Sequence, residues 1–245
     1  MPFQALYPCI PSSPVTTFTI FKFSPEKIWW ALGQMGRKTL ENSAGTTFSR
    51  MLGSGRKGFD VVPDFQQYTF LAHWENDKAA NHFFASDTFL NYAAHTTQHY
   101  TLKMQAMQAH GQWDGTEPFK VSENIGKDYA GPVVVLTRAK IKLTKLLDFW
   151  RHVPKAHESL SKSEGVLLAL GIGENPITQQ ATVSVWDSLD SVKKFAYQQP
   201  GHKEIVKRTR QRDWYSEELF ARFVPVAEWA EGGAARSLFR PKVPS

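Results

Sequence analysis

The residues best suited to chemistry in this sequence are histidines, at His73, His82, His95, His99, His110, His152, His157 and His202. His202 has the most suggestive setting. It follows Gln198-Gln199-Pro200-Gly201, a break that opens a new helix. His202, Ile205, Val206 and Thr209 then fall at i, i+3, i+4 and i+7, so the imidazole shares the apolar face. A histidine placed this way either ligates an iron or is a core residue hydrogen-bonded to backbone, and spacing leaves both open. His95 and His99 stand i, i+4, a spacing that can hold a metal on one helix face. Thr96-Thr97-Gln98 between them supplies no acidic partner, and a solvated helix face is the reading favoured. Other chemistries are excluded more firmly. Cys9 is the single cysteine, so there is no internal disulfide and no cysteine-based zinc or iron–sulfur site. There is no phosphate-binding loop and no Gly-x-Ser-x-Gly elbow. Gly53-Ser54-Gly55 and Gly171-Ile172-Gly173 lack the third glycine of a dinucleotide fingerprint and read as turns or bulges.

The elements that must position these residues form a repeat. Met51-Leu52-Gly53-Ser54-Gly55 reappears as Ala169-Leu170-Gly171-Ile172-Gly173, and Phe70–Glu75 as Val183–Asp187. Each half opens with a strand, Thr17–Phe23 or Pro132–Thr137, followed by a helix, Pro25–Met35 or Leu143–His152. A glycine-containing strand, a strand ending in tryptophan, helical segments (Asp77–Ala85 and Asp190–Tyr197) and a last strand (near Ala106–Trp113 and Leu219–Val226) complete each half. The order is βαββαβ. The expected fold is therefore α+β, with two tandem ferredoxin-like repeats over 15–120 and 131–228 forming an α+β barrel around a cavity. Two repeats in one chain leave open whether the barrel closes alone or as a homodimer. The termini, 1–14 and 231–245, are expected to fray.

Side chains that would line such a cavity follow from alternation. Gln180, Thr182, Ser184 and Trp186 share one face of a strand, and Ala181, Val183 and Val185 the other. With the apolar set against the helices, Thr182, Ser184 and Trp186 line the interior; the alternative is a solvent-facing edge. Arg138 shares a face with Val134 and Leu136. It either points inward, where it could pair with an anionic group, or ends the strand in solvent. Arg37 is a second such cation, read as a helix C-terminal charge. Lys203, Lys207, Arg208, Arg210 and Arg212 form a basic stretch that is either a solvated helix face or a dock for an acidic electron-transfer protein or anionic lipid.

The chain of 245 residues carries 29 Lys+Arg against 23 Asp+Glu, a net +6. That excess is too mild to demand a nucleic-acid partner. No run reaches the roughly 18–20 apolar residues of a spanning helix, and Met1–Ala5 does not read as a signal peptide. The expected location is cytoplasmic, with peripheral contact at the inner face of a membrane left open. Aromatic residues are abundant, 13% of the chain, which suits a large core or a flat apolar ligand.

Several strings together resemble the bacterial spheroidene monooxygenases, the acyclic-carotenoid ketolases. They are Trp30–Met35, Leu52–Gly55, Trp113-Asp114-Gly115 with Pro118-Phe119, and Leu136-Thr137-Arg138-Ala139. Phe149–Pro154, Gly171-Ile172-Gly173-Glu174, Pro200-Gly201-His202 and Glu217–Phe223 complete the set, which spans about residues 17–224. The resemblance implies oxygenation of an apolar, carotenoid-like polyene, dependent on haem b, with dioxygen and a reduced ferredoxin-type donor. It implies an α+β barrel with His202 as the axial iron ligand; Leu90 occupies the matching place in the first copy. It also implies Arg138 as a catalytic or propionate-binding residue, and Thr182, Ser184 and Trp186 as haem-pocket residues. Drifted chemistry, a dehydratase or haem-degrading enzyme on the same barrel, and a non-catalytic haem or lipid carrier are the alternatives.

Overall fold

The computed structural model describes residues 3–41, 43–56, 62–122, 125, 129–175, 177–198, 213–232 and 237–239. The element order repeats as the strings do. After a short strand β1 (Gln4–Ala5), the first half runs β2 (Val15–Lys22), α1 (Ile28–Arg37), β3 (Thr46–Gly55), β4 (Pro63–Trp74), α2 (Asp77–Phe84), α3 (Asp87–Ala94) and β5 (Gln98–Gly111). The second runs β6 (Val133–Ile141), α4 (Leu146–Ser161), β7 (Val166–Asn175), β8 (Gln179–Trp186), α5 (Leu189–Gln198) and β9 (Tyr215–Glu231). Strand order is β5-β2-β4-β3 in the first half and β9-β6-β8-β7 in the second. In each, the first strand lies between the third and fourth, as in the ferredoxin-like motif. The class is α+β with tandem ferredoxin-like repeats, as expected.

By internal contacts the chain divides into two compact units. One comprises Met1–Met51, Phe65–Gln105 and Pro225–Ser245, and the other Leu52–Asp64 and Ala106–Val224. The division passes through β3, β4, β5 and β9, whereas the sequence reading divides the chain between 120 and 131.

In the first unit, β2 pairs antiparallel with β4, from Val15↔Trp74 to Lys22↔Gln67, and with β5 from Thr16↔Met104 to Lys22↔Gln98. The face carrying Val15, Phe21, Phe70, Ala72 and Trp74 meets Ala80, Phe83, Phe84, Phe89 and Tyr92 of α2 and α3. Asn76 and Ser86 start those helices by accepting from the backbone N–H of Ala79 and Phe89. The N-terminal stretch is tied down rather than frayed. Gln4 and Ala5 pair with Glu228 and Ala227, and the Phe3 ring packs edge-on against Phe84 and Trp229. The aromatic side chain offsets the ordering entropy of a terminus.

In the second unit the order is β7-β8-β6-β9, with Gly53 and Ser54 of β3 paired to Gly173 and Ile172 of β7. Val133, Val135 and Trp186 on one face pack with Leu160 of α4 and Val192 and Phe195 of α5. The opposite face carries Val134, Leu136, Val183, Val185, Ile172, Ala221 and Phe223, all buried. No helix among the described residues is long and apolar enough to cross a membrane.

Candidate functional site

Arg138 sits on that second face of the second unit, opposite Ala181 and Leu219. Its side chain is 1% exposed, so the inward reading holds. A guanidinium taken out of water must be matched, and three carboxylates match it. Nη1 donates to Glu217 Oε1, and Nη2 to Asp114 Oδ1 at 3.0 Å, with Glu174 Oε2 at 3.6 Å. The Trp113 ring lies under the guanidinium, 5.1 Å from Cζ to centroid. Arg138 Nε finds no hydrogen-bond partner among the described residues.

Each partner arrives for a local reason. Asp114-Gly115 is a two-residue turn with both φ positive, 50° and 75°, closed by hydrogen bonds between Trp113 and Thr116. Asp-Gly is the pair such a turn favours. The turn aims two backbone N–H groups at one carboxylate: Asp114 N donates to Glu217 Oε1 at 2.9 Å and Gly115 N to Oε2 at 2.8 Å. Burial alone would push the Glu217 carboxyl up. The Gly115 and Asp114 N–H groups and Arg138 outweigh it and hold the group below the usual carboxylate range. Glu174 ends β7 beside the register shift after Gly173, and its Oε2 accepts from Trp113 Nε1 at 3.1 Å. A Cβ on Gly173 would stand 2.5 Å from the Gln179 carbonyl, so this strand end admits only glycine without a shift. Further along the loop, Phe119 packs edge-on against Phe223 at 5.2 Å. Trp113-Asp114-Gly115 with Pro118-Phe119, Arg138, Glu174 and Glu217–Phe223 come from four separate family-like strings. In the structure they form one cluster. The sequence reading assigned Asp114, Glu174 and Glu217 no role; the Asp-Gly pair was the available signal.

The remaining predicted residues fall elsewhere. Trp186 faces the helices, not an interior, its ring tilted against Phe195 at 5.3 Å, and by alternation Ser184 and Thr182 share that face. This reverses the expected orientation of β8. The polar set can face the helices because Trp186 Nε1 donates to Ser184 Oγ at 2.9 Å, satisfying both. His95 and His99 do not share a helix. His95 caps the end of α3 and stacks on Trp30, centroids 4.0 Å apart. His99 is in β5, buried beside Phe21, Phe89 and Trp229, and burial holds its imidazole pKa down despite Glu231. Arg37 is exposed at the C-terminal end of α1, as read. Leu90 is half-exposed on α3. His202 and the basic stretch Lys203–Arg212 lie outside the described residues.

Among the described residues, His, Cys, Asp and Glu form no cluster of three or more that could hold a metal ion. Arg138 is already engaged by carboxylates and offers a propionate no free fork. In the first unit, a cavity of about 520 Å³ is lined by Phe3, Tyr7, Cys9, Asp77, Asn81 and Lys103. Lys103 is bound there to Asp77 at 2.7 Å and Asn81 at 2.6 Å, so its charge is matched within the fold.

The fold also groups the chain with known proteins. No family model matches it. The solved structure of an aldoxime dehydratase superposes with a TM-score of 0.60 at 9% identity, covering 93% of this chain and 88% of that one. That likeness defines a shared α+β fold and nothing finer. Sequence comparison is narrower. The chain is 34% identical over 213 residues to the spheroidene monooxygenase of Cereibacter sphaeroides, covering 84% of this chain and 65% of that protein. It is 31% identical over 219 residues to the spheroidene monooxygenase of Rhodobacter capsulatus, covering 86% and 89%. The chain belongs to the spheroidene monooxygenase family. It spans less than two thirds of the length of the Cereibacter relative.

Proposed function

We propose that this protein is a haem-dependent monooxygenase that inserts oxygen from dioxygen into an apolar polyene of the acyclic-carotenoid type. The observation that carries the reading is the 31% identity to the Rhodobacter capsulatus protein across 89% of its length. The meeting of family-like strings around Arg138 supports it. Each turnover puts one oxygen atom into a C–H bond; two electrons from a ferredoxin-type donor and two protons from solvent reduce the other to water. A second hydroxylation of the same carbon gives a gem-diol, which loses water to leave a ketone. Bound haem with one protein ligand would supply an open iron position for dioxygen, and His202 is the proposed ligand. Arg138 is a positioning residue in this scheme. Its Nη atoms are taken by carboxylates, so in this scheme it acts by fixing the 113–119 loop over the apolar face of β6, β8 and β9.

The test is an absorption spectrum of the protein and of His202→Ala, both produced with haem supplied, oxidised and then reduced under carbon monoxide. A Soret band that shifts with carbon monoxide in the wild type and is lost or altered in the variant supports the assignment. Conversion of an acyclic carotenoid should then require dioxygen and reduced ferredoxin. A wild type that binds no haem sinks the reading as stated.

A further inference from the structure

The second unit presents a surface that its own packing does not use. Leu143 and Leu147 are 76% and 79% exposed. They lie in the 3-10 turn Leu143–Lys145 and the first turn of α4. Arg151 follows four residues on, also exposed, so the three share one stripe. The apolar anchoring of this helix is done by other residues: Phe149 packs with Ile141 and Trp214, and Leu160 with Val133 and Trp186. The two leucines therefore face water without serving the core. Beside them, half-buried Trp150 donates its indole N–H to the Ile177 carbonyl at 3.1 Å, and Ile177 is itself 48% exposed. Cations frame this apolar group. Lys142 pairs with Asp213, whose exposed carboxylate also feels the charge of Lys145, while Lys145 and Arg151 form no direct salt bridge among the described residues.

We propose that this face docks on an anionic lipid surface. Leu143, Leu147 and Ile177 enter the boundary between headgroups and acyl chains, where apolar side chains leave water at no cost in hydrogen bonds. Trp150 sits at headgroup level, one edge apolar and one polar. Lys145 and Arg151 meet lipid phosphates, their stems lying along the apolar patch. Charge complementarity selects this occupant. A second copy docked through the same patch about a two-fold axis would bring these cations against their own equivalents. The proposal stands on the surface and not on the substrate reading, since vesicle binding needs neither haem nor turnover.

The experiment uses the full chain with vesicles of phosphatidylcholine alone and of phosphatidylcholine mixed with phosphatidylglycerol, read by co-sedimentation. The wild type should bind the anionic vesicles, and less as salt is raised. The double variant Leu143→Glu/Leu147→Glu should bind about tenfold or more weakly. Lys145→Gln/Arg151→Gln should also lose about tenfold, through its charge. Circular dichroism and melting should match the wild type in both, because neither pair packs in the core. Three results overturn the proposal: no binding by the wild type, undiminished binding by the leucine variant, or wild-type dimerisation that the leucine variant abolishes without vesicle binding. Salt-sensitive binding to ferredoxin that depends on the two leucines, in a protein that ignores vesicles, would also overturn it and make the occupant an acidic protein.

Discussion

Replacing Arg138 by methionine keeps much of the side-chain volume and removes the charge. The structure sets the size of the effect. The guanidinium side chain is 1% exposed, while Glu217, Glu174 and Asp114 are 16%, 20% and 38% exposed. Breaking a fully buried pair costs roughly 3–5 kcal/mol and an exposed one about 0–1 kcal/mol. With the cation buried and its partners reaching water, Arg138→Met should cost about 3 kcal/mol. For a chain of this size that lowers Tm by about 6–12 °C. The loss should depend on pH, with a definite sign. The Glu217 carboxyl is depressed in the fold, so its contribution is present above its unfolded value and is lost as pH falls through the folded value. Arg138 is one cause of that depression. The gap between wild type and variant should therefore be full at neutral pH and narrow below about pH 4. Urea unfolding at neutral and acid pH measures this. Adding Glu217→Gln closes a double-mutant cycle, whose coupling should be at least about 1 kcal/mol. A loss under about 1 kcal/mol at neutral pH, or an equal loss in acid, would refute the argument that matched charge holds this cluster.

Three further predictions concern packing and reactivity. Gly111→Ala should destabilise by more than about 2 kcal/mol, because φ is 86° and a Cβ there would collide with the Glu218 carbonyl; an unchanged unfolding midpoint would contradict it. Trp186→Ala should cost roughly 3–5 kcal/mol, as a buried aromatic of the helix-packed face, whereas a residue lining an open pocket would cost far less. Cys9 has its thiol pKa pushed up, first by burial and then by Asp77, against Lys103. Its alkylation at neutral pH should be slower than that of a free thiol and rise with pH; a rate equal to that of free cysteine would count against the burial.

Much of the fold is legible in the sequence because strand periodicity survives in it. TFTIFKF alternates, and β2 forms there with alternate residues against α2 and α3. Boundaries are less legible. β5 and β9 extend well beyond the expected last strands, because ladder hydrogen bonds continue through polar residues that alternation alone does not mark. The reversal of β8 has a similar cause. Thr182, Ser184 and Trp186 read as polar, yet Ser184 and Trp186 satisfy each other and can be buried under helices. The hydrogen-bonded partners of Arg138, Asp114 and Glu217, lie 24 and 79 residues away in the chain, a distance no local pattern bridges.

The Arg138 cluster also explains how strings with no shared chemistry come to depend on one another in this chain. Trp113 and Asp114 belong to a turn, Glu174 to a strand end and Glu217 to a strand start, and none is chemically unusual alone. A guanidinium buried on an apolar face changes their status. Without the carboxylates it would be an unmatched charge, and without it the carboxylates would repel one another. The turn must hold positive φ to aim its N–H groups at Glu217, which requires Asp-Gly or its like. Gly173 must stay small so that the Gln179 backbone can approach beside Glu174. Once the cluster closes, the loop through Phe119 is fixed over Phe223. Lysine at 138 would keep the charge but not the fork that engages Glu217 and Asp114 from separate nitrogens. Arg138→Lys should therefore recover only part of the stability lost in Arg138→Met, and full recovery would show that charge alone, and not the guanidinium geometry, holds the loop.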